Sequence, residues 1–407
     1  MDIITENTAL AADTDDQPLT RAAAAMRPSL RQFRDGLETE QRFPPSLVAQ
    51  LTEAGFYRMT IPRVLGGLQA DTPTFLRVVE LMAEGLGSVG WNLVNNGVIQ
   101  LITLGLPDDG VHEIYSHGKG TVVAGTAIQG GGIGVPVPGG YRVSGRWSFG
   151  SGCQEAGWML ASFQIQDGDG LRTRSSEDGG TYWRGVFRRD EVKVIPGTWD
   201  VTGMRGTGSF DWTVDDVFLP EHRTMTHAGA PLDNQWSRWP GVSYALPAGA
   251  WIGPHHSSVI TGITRAAIDA LIGLAVEKTP RGRSGMLCEN PQVQDAVGRA
   301  DAILSAGQVY RRSLVAELWN TVASGGETTL MQRARTRLAS VHAADCAREA
   351  LDLVYRYGGS TSFKRETRLA ECWRDAQVVG QSQTVGPEWY PQGGRAYMGM
   401  DPGVRLR

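Results

Sequence analysis

Cysteine is scarce and scattered. Cys153, Cys288, Cys346 and Cys372 form no CxxC pair within 407 residues, which argues against a disulfide framework and a thiolate zinc site. Charge of either sign is hardly in excess: 39 basic and 43 acidic residues leave a formal charge of −4, which excludes a broad basic surface for nucleic acid or an anionic membrane. A small molecule is the expected partner. No uninterrupted apolar run of about 18 residues occurs, since Gly241–Ala250 and Val259–Leu274 are broken by Gly, Thr, Arg and Asp. The acidic, polar start, Met1–Thr20, has neither the basic nor the apolar segment of an export signal, so a disordered tail (residues 1–20) on a cytoplasmic protein is expected. Missing motifs narrow the field further. No GxGxxG follows a strand, no GxSxG occurs, and no HxxxH or His/Asp/Glu triad has metal-ligand spacing, so a Rossmann enzyme, a serine hydrolase and a metal site are all disfavoured.

What is present is a segregated pattern. From Leu19 to Ser116 apolar residues recur every three or four positions, as in Phe75, Val78, Val79 and Met82, which predicts a helical domain over 21–120. In Tyr141–Phe149 the period becomes two: Tyr141, Val143, Gly145, Trp147 and Phe149 alternate with Arg142, Ser144, Arg146 and Ser148. Further strands are expected at Thr121–Ile128, Trp158–Ile165, Tyr182–Arg188 and Phe210–Phe218, giving a small antiparallel sheet or barrel over 121–225. Gly130–Gly134 reads as a flexible rim, because no Lys-Ser/Thr and no helix follows it. Helical spacing returns within 246–407, at Ile263–Val276, Val293–Gly307, Thr329–Tyr357 and Leu369–Val379, which predicts a four-helix bundle. Helices, then strands, then helices make an α+β chain.

Three segments carry a family resemblance. Tyr141-Arg142-Val143-Ser144-Gly145-Arg146-Trp147-Ser148-Phe149-Gly150-Ser151-Gly152-Cys153, Gly203-Met204-Arg205-Gly206-Thr207-Gly208-Ser209 with Val214–Pro220, and Arg374-Asp375 resemble the motifs of the acyl-CoA dehydrogenase superfamily. They are most similar to its two-component flavin-dependent monooxygenases, the group D enzymes that act on hydroxyphenylacetate or dibenzothiophene. The resemblance implies the acyl-CoA dehydrogenase fold, with N-terminal helical domain, central antiparallel β-barrel and C-terminal four-helix bundle, and a homotetramer. It also implies reduced FMN or FAD delivered by a separate flavin reductase, O2 as co-substrate, and oxygenation of an organic, aromatic substrate through a C4a-hydroperoxyflavin.

Carried over residue by residue, the resemblance implies flavin contacts from Trp147, Phe149, Ser151 and Gly152, with Arg205, Arg283 and Arg374 as candidates for the anionic part of the cofactor. Trp91, Asn92, Asn95, Asn96 and Gln100 on one helix, and Thr126, are candidate substrate residues. The three asparagines are poor helix formers whose amides need partners. Two departures concern the base. Gln383 stands where dehydrogenases place a catalytic glutamate, and Ser382 where phenol hydroxylases place a histidine. These two positions and the pair His255-His256, expected at the start of the first bundle helix, are therefore the catalytic candidates. The alternatives are an acyl-CoA or carrier-bound acyl dehydrogenase or oxidase, an amine N-oxygenase, and a non-catalytic binding protein of the same fold.

Overall fold

A computed structural model describes residues 17–116, 121–126, 130–167, 170–172, 182–227, 237–282 and 284–403. Most of the expected tail lies outside the described residues, but its last part is helical, because α1 (Pro18–Met26) opens with proline at its first position, where the missing N–H leaves no bond unmade. The N-terminal helices continue as α2 (Arg34–Glu40), α3 (Pro45–Glu53), α4 (Thr72–Gly85), α5 (Gly87–Thr103) and α6 (Asp108–Tyr115). On α4 the Asp71 side chain accepts from Thr74 N, and Phe75, Val78, Val79 and Met82 are buried. Burying each such side chain is worth about 1.5–3 kcal/mol.

The strands are β1 (Val123–Gly125), β2 (Gly132–Val137), β3 (Gly140–Gly150), β4 (Trp158–Asp167), β5 (Gly170–Arg172), β6 (Tyr182–Arg188), β7 (Lys193–Ile195), β8 (Phe210–Pro220) and β9 (Thr224–His227). The sheet is open, not the expected barrel. Its order is β7-β8-β3-β2-β4-β6-β9, with β1 and β5 also paired to β4, and the β1–β4 and β2–β4 pairs are parallel. The presumed rim at Gly130–Gly134 runs into β2. A Cβ on Gly132 would lie 2.4 Å from the Trp147 ring, and one on Gly134 2.6 Å from Phe163, so these glycines let the strand pass over two aromatic rings.

The C-terminal region holds α7 (Val242–Ala245), α8 (Ala248–Glu277), α9 (Pro291–Ala323), α10 (Leu330–Tyr357), α11 (Arg368–Val379) and α12 (Trp389–Tyr397). Helix α8 is long and apolar enough to cross a membrane, with a mean hydropathy of 1.7 in its most apolar window. Most of that window is buried inside the fold, where α8 packs against α4, α10 and α11. At this junction Glu80 of α4 is fully buried. It accepts from Arg311 of α9 at 2.7 Å, from Thr261 of α8 at 2.7 Å and from Gln308 of α9 at 2.9 Å, and also pairs with Arg312. Burial raises the pKa of this carboxyl, yet Arg312, Arg311 and Arg77 outweigh burial and hold it well below the usual range.

Candidate functional site

The sequence after β3 turns sharply back toward α5. Between Trp147↔Trp212 and Gly150↔Phe210, β3 advances three residues while β8 advances two, a bulge whose extra residue takes a left-handed backbone at Phe149 (φ 64°). The bulge separates two aromatics expected to act together. Trp147 is 3% exposed, donates from Nε1 to Ser162 O at 2.8 Å and packs on Trp212 with ring centroids 4.6 Å apart, so it is core rather than cofactor wall. Phe149 is 58% exposed and meets Trp199 edge-on, with ring centroids 6.3 Å apart.

Beyond the bulge, Ser151 begins a chain of hydroxyls. Trp91 Nε1 on α5 donates to Ser151 Oγ at 3.1 Å; Ser151 Oγ lies 2.8 Å from Ser209 Oγ, and Ser209 Oγ 2.7 Å from Thr207 Oγ1, which donates to Met204 O at 2.8 Å. The order of protons follows from the end. With the Thr207 proton on Met204 O, Ser209 donates to Thr207 and Ser151 to Ser209, so Ser151 Oγ keeps a lone pair for one further donor.

The loop that supplies Thr207 and Ser209 is fixed from both sides. Gly152 N donates to Thr207 O at 2.9 Å and Asn92 Nδ2 to the same carbonyl at 3.3 Å, while Asn92 Oδ1 is buried with no hydrogen-bond partner among the described residues. On the far side Asp375 Oδ1 accepts from Met204 N at 2.6 Å, and a Cβ on Gly203 would sit 2.4 Å from the Arg374 backbone. The Arg-Asp pair of α11 therefore positions the Gly203–Ser209 loop, with the aspartate as the anchor. Burial, aided by the nearby Glu371, pushes Asp375 up to about 7 despite that bond.

His256 completes the cluster. Its ring meets that of Trp91 edge-on at 5.5 Å, and its Nδ1 donates to Ile252 O at 2.6 Å, leaving the basic lone pair on Nε2. Burial pushes its pKa down to about 4, so the ring is neutral at pH 7. Glu155, three residues past Gly152, accepts from Phe43 N at 2.8 Å, and burial raises it to about 7.

Not every sequence candidate is gathered here. Helix α8 begins at Ala248, so His255 and His256 lie two turns inside it rather than at its start. His255 faces the core, stacked on Trp251 at 5.2 Å, with both ring nitrogens beside the carbonyls of Trp251 and Thr72. Asn95 donates to Trp91 O, Asn96 to Val123 O at 2.9 Å and Gln100 to Tyr57 O at 2.5 Å, so these amides find the partners they lack in sequence on backbone carbonyls and leave the cluster to Trp91 and Asn92. Thr126 is buried beside β4, its N–H bonded to Leu160 O. Arg205 is tied to Glu38 O and Val201 O at 3.0 Å each, and Arg374 is partly exposed with Arg365 O at 3.4 Å. Arg283 lies outside the described residues. Ser382 caps the turn after α11, with Thr384 N 3.3 Å from its Oγ, and Gln383 is exposed, so neither is drawn into the cluster around Ser151. The hydroxyl roles of Thr207 and Ser209 were hidden in their motif, and nothing in the sequence singles out Glu155.

Residues 14–107 match the model described as acyl-CoA dehydrogenase, N-terminal domain, and residues 255–386 that described as acyl-CoA dehydrogenase, C-terminal domain. The chain is 28% identical over 396 residues to indole-3-acetate monooxygenase of Pseudomonas putida, covering 94% of this chain and 96% of the relative. It is also 28% identical over 374 residues to the flavin-dependent monooxygenase, oxygenase subunit HsaA, of Rhodococcus jostii, covering 89% and 94%. The crystal structure of 3-HSA hydroxylase from Rhodococcus sp. RHA1 superposes with a TM-score of 0.85 at 25% identity, over 97% of this chain and 100% of the other. With the two domain models together spanning more than half of its length, the chain belongs to the acyl-CoA dehydrogenase family.

Proposed function

We propose that this protein is the oxygenase component of a two-component flavin monooxygenase, using reduced FMN or FAD from a separate reductase and O2 to oxygenate an organic, aromatic substrate. The observation that carries the reading is the hydroxyl chain that ends at Ser151, with a free lone pair there, together with Asn92 Oδ1, one residue on from Trp91, which has no hydrogen-bond partner among the described residues. The donor set fits a flavin: both atoms accept, as the N–H groups of a reduced isoalloxazine require, and the exposed Phe149 offers an aromatic face next to them. The bound reduced flavin supplies the electrons that activate O2. Ser151 orients the ring, Trp91 and the buried α5–α8 wall exclude water, and neutral His256 accepts a proton or hydrogen bond from substrate at Nε2.

Arg283, by resemblance, holds the flavin phosphate, in a cytoplasmic homotetramer. The exposed Gln383 gives the dehydrogenase alternative no base.

The test is an anaerobic titration with reduced FMN and FADH2, followed by 18O2 and a panel of aromatic substrates. Binding of reduced flavin and 18O in the product support the assignment. Tight binding of oxidised FAD that a substrate bleaches without oxygen refutes it.

A further inference from the structure

Three arginines lie on the side of the sheet that faces α6. On β6, Trp183 packs on Tyr141 at 5.1 Å and Phe187 on Trp147 at 6.1 Å, both on one face of the sheet. Strand alternation then puts Arg184 on the opposite face with Arg188. Arg188 pairs with Glu113 of α6, and Arg223, just before β9, donates to Glu113 and Glu191; both also lie over the Trp158 ring. Arg184 differs. It is 3% exposed, its Nε has no hydrogen-bond partner among the described residues, and burial alone, opposed by no carboxylate, lowers its pKa to about 10.

A guanidinium taken out of water without a counter-ion is strongly disfavoured, and the molecule elsewhere answers that problem with acids, as at Arg311 with Glu80. The strands beside Arg184 lead toward α5. Its register partner on β4 is Ser162, itself buried; the next strand, β1, runs on to Thr126, bonded to Leu160 O; and β1 is tied to α5 by Asn96. Arg184 and Ser162 thus sit side by side on β6 and β4, and β1, on the other side of β4, is tied by Asn96 to the helix that carries Trp91 and Asn92.

We infer that Arg184, with Ser162 beside it, is an anion subsite that receives the carboxylate of an aryl carboxylate substrate; this rests on the flavin-monooxygenase reading above. The planar fork of a guanidinium matches two carboxylate oxygens at once, and binding supplies the counter-charge that the described residues leave out. A neutral analogue leaves that charge unmet, so the site discriminates strongly against it. The phosphate of a flavin is the other source of anionic oxygen, and the experiment separates the two.

Benzoate, phenylacetate and indole-3-acetate, each beside its neutral primary amide, are titrated into the full-length wild-type protein and into Arg184→Lys and Arg184→Met, with binding and thermal midpoints measured. At least one acid is expected to bind the wild type about tenfold or more tighter than its amide, a preference that Arg184→Lys keeps in part and Arg184→Met loses. Equal binding of every acid and its amide to the wild type, or a preference that survives in Arg184→Met, overturns the inference. The Tm of unliganded Arg184→Met is expected to hold or rise, and a fall would show that Arg184 is already satisfied, which also overturns it. Reduced FMN and reduced riboflavin form the second arm. If Arg184→Met erases a preference for FMN, the anion is the flavin phosphate and the substrate assignment fails; an unchanged FMN affinity supports it. Failure of the carboxylate arm with FMN binding intact leaves the monooxygenase reading standing, whereas a wild type that binds no reduced flavin removes that reading instead.

Discussion

Trp91 donates its indole N–H to Ser151 Oγ at 3.1 Å, and this bond joins α5 to the turn that follows β3. It fixes the orientation of a hydroxyl whose own proton is committed to Ser209, so Ser151 presents a lone pair rather than a donor. Trp91→Phe keeps the ring but loses the N–H. A net hydrogen bond is worth about 1 kcal/mol, so reduced FMN should bind roughly fivefold more weakly. Peroxide should also rise at the expense of oxygenated product. Wild-type affinity and product yield in Trp91→Phe would contradict this role for the pair.

Asp375→Ala removes the acceptor for Met204 N, leaving a buried donor unpaired, and should cost about 1–3 kcal/mol in denaturant unfolding. The more specific readout is local: hydrogen exchange at the Met204 amide should accelerate, and flavin affinity should fall because the Gly203–Ser209 loop carries the hydroxyl chain. Unaltered exchange at that amide would mean that α11 does not anchor the loop.

Glu80→Gln takes from fully buried Arg311 its one carboxylate partner among the described residues. Breaking a buried pair from one side costs about 3–5 kcal/mol, whereas removing both charges recovers much of that loss. Urea unfolding of Glu80→Gln, Arg311→Met and the double variant checks the sign of the coupling. Additive losses in the double variant would count against a pair.

Two groups give stability opposite slopes with pH. The pKa of His256 is lowered by folding to about 4, so its contribution is present above about pH 6.5 and is lost as pH falls toward 4. That loss is about 2 to 3 kcal/mol and should be absent in His256→Gln. For Glu155 the folded value is raised to about 7, so its contribution is complete below the unfolded value near 4.5 and is lost as pH rises through 7. Glu155→Gln should therefore gain on the wild type between pH 5 and 8. Urea midpoints at pH 4.5, 6 and 8 measure both, and parallel curves for wild type and variants would rule out the assignments.

Much was legible in the linear pattern because periodicity reports which face of an element is buried. Tyr182–Arg188 is a strand as its spacing predicts, and Thr329–Tyr357 contains α10 almost to the residue, with Thr329 as its cap. The Gly132–Val137 strand escaped because its glycines answer to distant rings, Gly132 to Trp147 and Gly134 to Phe163, and not to any local preference. Barrel closure was misjudged for a similar reason, since strand count does not say whether the two edges meet.

By itself the sequence determined the α+β order, the helices and most strands, and the motif segments around Ser151 and Ser209, all of which depend on neighbours along the chain. Tertiary structure alone decided that a one-residue bulge sends Phe149 outward and Trp147 inward, that His256 meets Trp91 while His255 does not, and that Arg184 Nε is buried without a hydrogen-bond partner among the described residues. The reason is physical: burial, desolvation and hydrogen-bond partners are properties of contacts between distant residues, and only the assembled fold brings those residues together.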